Sequence, residues 1–318
     1  MQSFESARIA VVSGGRSTER ERSLMSGRAA WESLDRQGYT TRFLDPADKT
    51  FADDIRGADV AFLAIAGQYA EDGKLQGLLE HLNIPYTGSG VAASAVGMHK
   101  ALAKTIVAAA GVAVLPTVAL PTRGRDGEVS TRTVTSTIAF PLILKPLSEG
   151  GSIGMTVCRD TAQLADALRS IDPGEGWFVE PFTTGIPVSC GVLEIDGSPV
   201  ALPPLATIPT DAEFYDYATK RDKTKYRYEC PANLSSGTLD AVTTAALDAH
   251  DALGCSGYSR SDFIVSPDGR PVWLEINTLP GLSHTGNLAT MAAAAGIDYD
   301  RLIRMILATA HTSEGYRP

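Results

Sequence analysis

Apolar and polar positions follow two rhythms along this chain, and the order of those rhythms predicts its architecture. Arg8 to Val12 is a short apolar run that reads as a buried strand, closed by the turn at Gly14-Gly15. From about Arg20 to Gln37 apolar residues recur at helical spacing, and Gly38 supplies the stop signal. Tyr39 to Leu44 reads as a second strand and Val60 to Ala66 as a third. A glycine-containing loop then leads into a helix through Gln76 to Leu82 and a short strand before Gly88. Alternating strands and helices over residues 1–88 predict a small parallel α/β unit. Its ligand-binding loops would lie at the carboxyl ends of the strands, at residues 14–21 and 67–73.

The pattern then changes. A helix is expected from about Ser94 to Ala110, with Lys100 and Lys104 on it, followed by strands at Ala113 to Ala119 and Leu142 to Pro146. The polar stretch Thr122 to Ser136 reads as an exposed loop. A glycine-rich loop containing Gly150, Gly151 and Ser152 follows the strand that carries Lys145. A helix at Thr161 to Ile171 and a strand at Gly176 to Pro181 complete a second, α+β unit over residues 89–185. Residues 186–318 form a third unit with strands, an aromatic and basic loop at Ala212 to Tyr228, a helix at Leu239 to Leu253, a hairpin and a final helix.

That hairpin carries the most informative chemistry. Ser261 to Val265 alternates apolar and polar residues, the Pro267-Asp-Gly-Arg270 turn reverses the chain, and Pro271 to Ile276 returns. The reversal brings Asp262, Glu275 and Asn277 to one end. Mg²⁺ prefers oxygen ligands and takes one or two carboxylates plus the phosphates of a substrate, so the hairpin is a candidate nucleotide site. Beyond it, Asn277-Thr-Leu-Pro-Gly281 is a turn whose glycine offers a backbone N–H to an oxyanion.

Composition narrows the field. The 318 residues carry a formal charge of −9 with a pI near 5.1, which argues against sequence-independent nucleic-acid binding. Cys158, Cys190, Cys230 and Cys255 are widely spaced and form no zinc or redox motif, as expected of thiols in a reducing compartment. No apolar stretch is long enough for a membrane span or a secretory signal, so a cytoplasmic protein is expected. There is no P-loop and no dinucleotide fingerprint. The cations available to phosphates are instead dispersed, at Lys100, Lys145 and Lys220.

Six segments occur in a telling order: Gly14-Gly-Arg-Ser-Thr-Glu-Arg-Glu-Arg-Ser23, Glu71-Asp-Gly-Lys-Leu-Gln-Gly77, Lys145-Pro with Glu149-Gly-Gly-Ser-Ile-Gly154, Glu213-Phe-Tyr-Asp-Tyr217, Ser259-Arg-Ser-Asp262, and Glu275-Ile-Asn-Thr-Leu-Pro-Gly281. In order and spacing they resemble the D-alanine–D-alanine ligase family of the ATP-grasp superfamily over nearly the full length. The resemblance implies a three-domain ATP-grasp architecture of the α/β (α+β) class, with ATP between the second and third domains and a homodimeric assembly. It implies that ATP phosphorylates the carboxylate of one amino acid and that the amine of a second then displaces the phosphate. In that scheme Asp262, Glu275 and Asn277 hold two Mg²⁺ ions. Lys100, Lys145 and Lys220, with the loop at Gly150, Gly151 and Ser152, contact phosphates, and Glu180 accepts from the adenine amino group. Arg260 and the Gly281 N–H form an oxyanion hole, where a donor is worth about 3 kcal/mol. Glu19 pairs with the first substrate's ammonium, and the loop from Ala212 to Tyr228 closes over the site.

The amino-acid end departs from the family pattern. Ala66 stands where a histidine is usual, Gly151 where a serine links Glu19 to a tyrosine, and Arg221 at that tyrosine. Gly286 and Asn287 replace a serine and a leucine beside the acceptor, and Pro187 replaces a ribose-binding glutamate. Losing a partner of a substrate carboxylate costs about 1 to 3 kcal/mol, so compensation is expected, with Arg221 and His284 as candidates. The expectation is a specialised dipeptide ligase, γ-glutamyl-forming in one version. The alternatives are a housekeeping D-alanine–D-alanine ligase, an intramolecular cyclising ligase and a non-catalytic nucleotide-binding protein.

Overall fold

The computed structural model describes residues 4–120, 131–148, 154–172, 176–209 and 225–312. The chain opens with β1 (Arg8–Val12), α1 (Arg20–Arg36), β2 (Thr40–Leu44), α2 (Phe51–Asp54), β3 (Val60–Leu63) and α3 (Lys74–His81). The three strands form a parallel sheet in the order β2-β1-β3, as the alternation predicts. Val11, Val12, Val60, Phe62 and Leu63 are fully buried, as expected of strands covered on both faces. The strand foreseen before Gly88 reduces to bridges at Tyr86, which pairs with Ala61 on one side and His311 on the other.

Instead of one helix at 94–110 there are two, α4 (Val91–Met98) and α5 (Lys100–Ala109). His99 breaks them apart. Its backbone leaves the helical region (φ −92, ψ 88), and its ring nitrogen caps α5 by accepting the Leu102 N–H at 3.2 Å. The central unit follows as β4 (Val118–Ala119), α6 (Thr131–Thr135), β5 (Leu142–Pro146), β6 (Thr156–Cys158), α7 (Thr161–Ser170) and β7 (Trp177–Pro181). The strand foreseen at 113–119 is thus confined to its last two residues, with Val114 bridging to Trp273. Part of the stretch expected as loop is the helix α6, and residues 121–130 lie outside the described residues.

The largest sheet contains β8 (Ile186–Ile195), β9 (Ser198–Ala201), β10 (Leu205–Pro209) and β11 (Tyr226–Glu229). After α8 (Ser236–Ala252) come β12 (Tyr258–Val265) and β13 (Pro271–Asn277), and two helices, α9 (Asn287–Ala294) and α10 (Tyr299–Ala308), replace the single final helix expected. Among the described residues the order is β11-β10-β8-β12-β13, with β9 paired to β8, and the smaller antiparallel sheet runs β4-β7-β5-β6. The strands of each sheet fall within one of the stretches 1–88, 89–185 and 186–318, a division we retain as a proposal. Helices cross those lines. Ala103 and Val107 of α5 pack into the core between the largest sheet and α8, and Leu302, Ile303 and Ile306 of α10 join the N-terminal core. On the α8 side of the largest sheet, Trp273 is fully buried and donates to Ser261 Oγ at 3.1 Å, which leaves the opposite face for the polar groups below.

Candidate active site

Strand register builds the acidic end. Asp262 lies directly opposite Glu275, and Arg260 opposite Asn277. Opposed residues share a face, as do residues two apart on one strand, so these four side chains make a two-by-two block. On the other flank β8 places Ser189 opposite Asp262. The Ser189 hydroxyl donates to Asp262 Oδ1 at 2.6 Å, while Arg260 Nε and Nη2 donate to the two Asp262 oxygens at 2.9 Å each. Like charges facing each other across strands repel, and here cations offset the repulsion: Arg260 on Asp262, and Lys100 Nζ at 3.3 Å from Glu275 Oε2. Burial alone would lower the Arg260 pKa, yet Asp262, Glu275 and Glu71 hold it above its ordinary value.

The donor set fits Mg²⁺. Asp262, Glu275 and Asn277 offer oxygen only, the two acids are 23% and 32% exposed, and the Asn277 amide is oriented because its Oδ1 accepts the Leu279 N–H at 3.0 Å. Among the described residues no group of three or more His, Cys, Asp or Glu could hold a metal ion, so the hairpin offers Mg²⁺ two carboxylates and an amide oxygen, with the remaining positions left to a substrate's phosphates and water. The turn beyond is fixed to the N-terminal unit through Ser26 Oγ, which accepts the Leu282 N–H at 3.1 Å and leaves Gly281 exposed.

The nucleotide end is a second charged group. Lys145 on β5 and Glu180 on β7 are diagonal neighbours across the pair, and Lys145 Nζ donates to Glu180 Oε1 at 2.5 Å. Lys104 Nζ lies 2.8 Å from the other oxygen, with both side chains almost wholly enclosed (3% and 1% exposed). Burial pushes the Glu180 carboxyl up, and the two lysines outweigh it and hold it below the ordinary range. Burial also lowers the Lys104 pKa against the pull of Glu180. Sequence reasoning gave Lys104 no role. Its spacing of four from Lys100, which puts both on one helix face, was the available signal.

Around Glu19 the geometry is loop-borne. Glu19 precedes α1 without capping it, and its carboxylate meets Arg22 at 3.4 Å. The Ala66 carbonyl accepts from Ser17 Oγ at 2.9 Å and the Ala66 N–H donates to Ser23 Oγ at 2.9 Å, lashing the loop after β3 to the loop after β1 and to the first turn of α1. A side chain at Gly67 would meet Ser17 Oγ at 2.5 Å and Glu19 Oε2 at 3.4 Å, and the backbone there has φ +86, so this approach requires glycine. Glu71 accepts the Gly67 N–H at 2.5 Å, and burial followed by the charge of Glu19 pushes its carboxyl up to about 8.

Of the expected acceptor-side residues, Asn287 reaches the acidic block, its Nδ2 donating to Ser189 Oγ at 3.4 Å. His284 is exposed and its ring lies tilted at 44° against Tyr299, with ring centroids 4.0 Å apart. Gly286 precedes α9, and a Cβ there would stand 3.0 Å from Ser283 Oγ. Pro187 is an ordinary strand residue opposite Ile264. Gly150, Gly151, Ser152, Lys220 and Arg221, with most of the loop at 212–228, lie outside the described residues. A surface groove of about 600 Å³ at the turn end of the hairpin, lined by Gly185, Ile186, Leu234, Thr238 and Gly269 among others, contains none of these groups.

Comparison with known proteins decides the lineage. Residues 106–308 match the D-ala D-ala ligase C-terminus family and residues 43–89 its N-terminus counterpart. The chain belongs to the D-alanine–D-alanine ligase family. A D-alanine–D-alanine ligase from Anaeromyxobacter sp. (strain Fw109-5) is 41% identical over 310 residues, covering 96% of this chain and 98% of that one. The Alcanivorax borkumensis D-alanine–D-alanine ligase is 40% identical over 304 residues, covering 95% and 94%. Among solved structures, the Bacillus anthracis D-alanine–D-alanine ligase complexed with ATP superposes with a TM-score of 0.81 at 30% identity, over 96% of this chain and 97% of that one. The VanG D-Ala:D-Ser ligase from Enterococcus faecalis gives 0.80 at 25% identity, over 95% and 98%. This D-alanine–D-alanine ligase family member therefore has the ATP-grasp fold and is an ADP-forming ligase that makes a C–N bond between amino-acid substrates. ATP and Mg²⁺ are its cofactors.

Proposed function

We propose that this chain joins two molecules of D-alanine, as its named relatives do. The reading is carried by one juxtaposition: the block of Arg260, Asp262, Glu275 and Asn277, with Glu71 and Glu19 beside it on the N-terminal loops. Asp262, Glu275 and Asn277 would hold Mg²⁺, in two ions on this reading, and Lys100 and Lys145 would meet the phosphates. ATP would supply the phosphoryl group that activates a carboxylate, and Mg²⁺ held by these residues would draw off charge during transfer. Glu19 orients the first amino acid through its ammonium. Arg260, held in place by Asp262, directs its remaining N–H donors at the oxygen that becomes negative when the second amine attacks. The Glu71 carboxyl, protonated across much of the neutral range, adds little negative charge beside Glu19.

Relatives near 40% identity that share almost the whole length favour this reading over the γ-glutamyl one, for which Arg221 was the main support. A second reading keeps D-alanine as donor and changes the acceptor to D-serine. Asn287 favours it, because a carboxamide bonded to Ser189 adds hydrogen-bonding capacity where the family has an apolar side chain. A homodimer in the cytoplasm is proposed with either reading, and among the described residues no helix is long and apolar enough to cross a membrane. Phosphate release from ATP, with product masses, tests both over D-alanine alone, D-alanine with D-serine, and D- or L-glutamate mixtures. D-Alanine alone should turn over and yield its dipeptide. Turnover that requires glutamate would overturn the proposal, and a mixed dipeptide formed in preference would select the second reading.

A further inference from the structure

We propose that Lys104 is a positioning residue of the nucleotide site: it is the permanent counter-ion of Glu180, and its presence lets Lys145 leave that carboxylate for the phosphates of a bound nucleotide. The inference rests on the reading that Lys145 faces those phosphates.

Each oxygen of the Glu180 carboxylate has its own ammonium, and the two differ in access. Lys145 Nζ, at 2.5 Å from Oε1, belongs to a side chain 15% exposed, whereas Lys104, at 2.8 Å from Oε2, is 3% exposed. Glu180 itself is 1% exposed, and a carboxylate so enclosed is costly without a paired cation. Were Lys145 its sole partner, drawing Lys145 to a phosphate would leave that charge uncompensated, and the carboxylate would compete with the nucleotide. With Lys104 in place the departure leaves a one-to-one pair. The two ammoniums also repel through the shared carboxylate, Lys145 depressing the Lys104 pKa, so moving one away relieves the other. Lys104 cannot make the same journey. It sits on α5 between Ala103 and Val107, both buried in the core under the largest sheet, and its stem is fixed with them. One turn earlier on the helix, Lys100 reaches Glu275 instead, so α5 supplies one ammonium to the metal end and one to the base of the nucleotide pocket.

The ratio of ATP affinity to adenosine affinity, measured by titration calorimetry with Mg²⁺ present, separates phosphate contacts from base contacts. Lys104→Met should lower that ratio by about tenfold or more, because Lys145 stays bound to Glu180 and the loss falls on the phosphates. Lys104→Met/Glu180→Gln, which removes the buried charge along with its counter-ion, should return the ratio to within about threefold of the parent. An unchanged ratio in the folded single variant, or a double variant as poor as the single one, overturns the proposal. If the single variant fails to fold, the double variant decides: a ratio near the parent's supports the role, and a collapsed ratio means that Lys104 touches the phosphates itself. Lys145→Ala checks the underlying reading separately, since an unchanged ratio there would remove Lys145 from the phosphates whatever Lys104 does.

Discussion

At the metal and nucleotide end the polar and charged groups are placed by strand register and by one helix, α5, and are paired with one another, from Ser189 through Asp262 and Arg260, and from Lys104 through Glu180 to Lys145. At the amino-acid end Glu19, Ala66, Gly67, Gly286 and Asn287 belong to loops and helix entrances, tied by single hydrogen bonds through serines. The difference separates two tasks. Activating a carboxylate needs fixed charges whose spacing a sheet can guarantee, and choosing which amino acid to activate is left to segments that tolerate substitution. The departures from the family pattern at Ala66, Gly286 and Asn287 fall in the second set, while Asp262, Glu275 and Asn277 in the first are kept and Pro187 on β8, at the ribose position, is the exception.

Four changes would break or sharpen that contrast. Glu275→Gln should cut ADP release at saturating substrates by on the order of 10³-fold, since it weakens Mg²⁺ and removes the carboxylate charge that meets Lys100. Retention of most of the rate would move the cation elsewhere. Glu19→Gln should raise the KM for the first amino acid by about 10 to 100-fold with KM for ATP little changed, as the loss of a charged hydrogen bond predicts. A parallel rise in both constants in steady-state kinetics would mean that the two ends are not separable. Gly286→Ser should lower the acceptor KM by up to about tenfold if a hydroxyl there contacts the acceptor, and leave donor kinetics alone. Crowding against Ser283 would instead appear as a lower melting temperature with no kinetic gain. The smallest effect concerns pH. Glu71 has its folded pKa at about 8, above the ordinary 4.5, so the unfolded chain releases this proton first. Stability from this group is therefore lost as pH rises from about 4.5 to about 8, and is level above that. Glu71→Gln keeps an acceptor for Gly67 and should melt higher than the parent at about pH 8, with the gap closing towards about pH 5. A constant gap across that range would show that Glu71 does not titrate there.

What the sequence revealed follows the same division. The hairpin was legible because alternation and a Pro-Asp-Gly turn mark two strands that return on each other, so Asp262 and Glu275 were expected at one end. What makes them direct cross-strand partners is a register shift between Asp262 and Phe263, without which regular pairing from the turn would set Asp262 opposite Leu274, and no sequence signal marked it. β1 and β5 match the expected bounds because buried apolar runs flanked by turn residues have few other solutions. His99 was missed as a break, since nothing in its residue type stops a helix and its cap depends on a ring nitrogen finding the Leu102 amide. The Lys104–Glu180 pair was also hidden, because it joins a helix to a strand in another sheet and no local period encodes such a meeting. Ser189 was missed for the same reason: its place beside Asp262 follows from the pairing of β8 with β12, which the hairpin alone does not specify.

The kink at His99 has a consequence of scale. Because α5 starts afresh there, Lys100 and Lys104 ride on a single rigid rod one turn apart, a rise of about 6 Å. One end of that span touches the larger sheet at Glu275 and the other touches the smaller sheet at Glu180. The rod is in effect a gauge set across the mouth between the two sheets. A rocking of one sheet against the other that kept both contacts would have to pivot about this rod, which confines the cleft to opening and closing at its far lip.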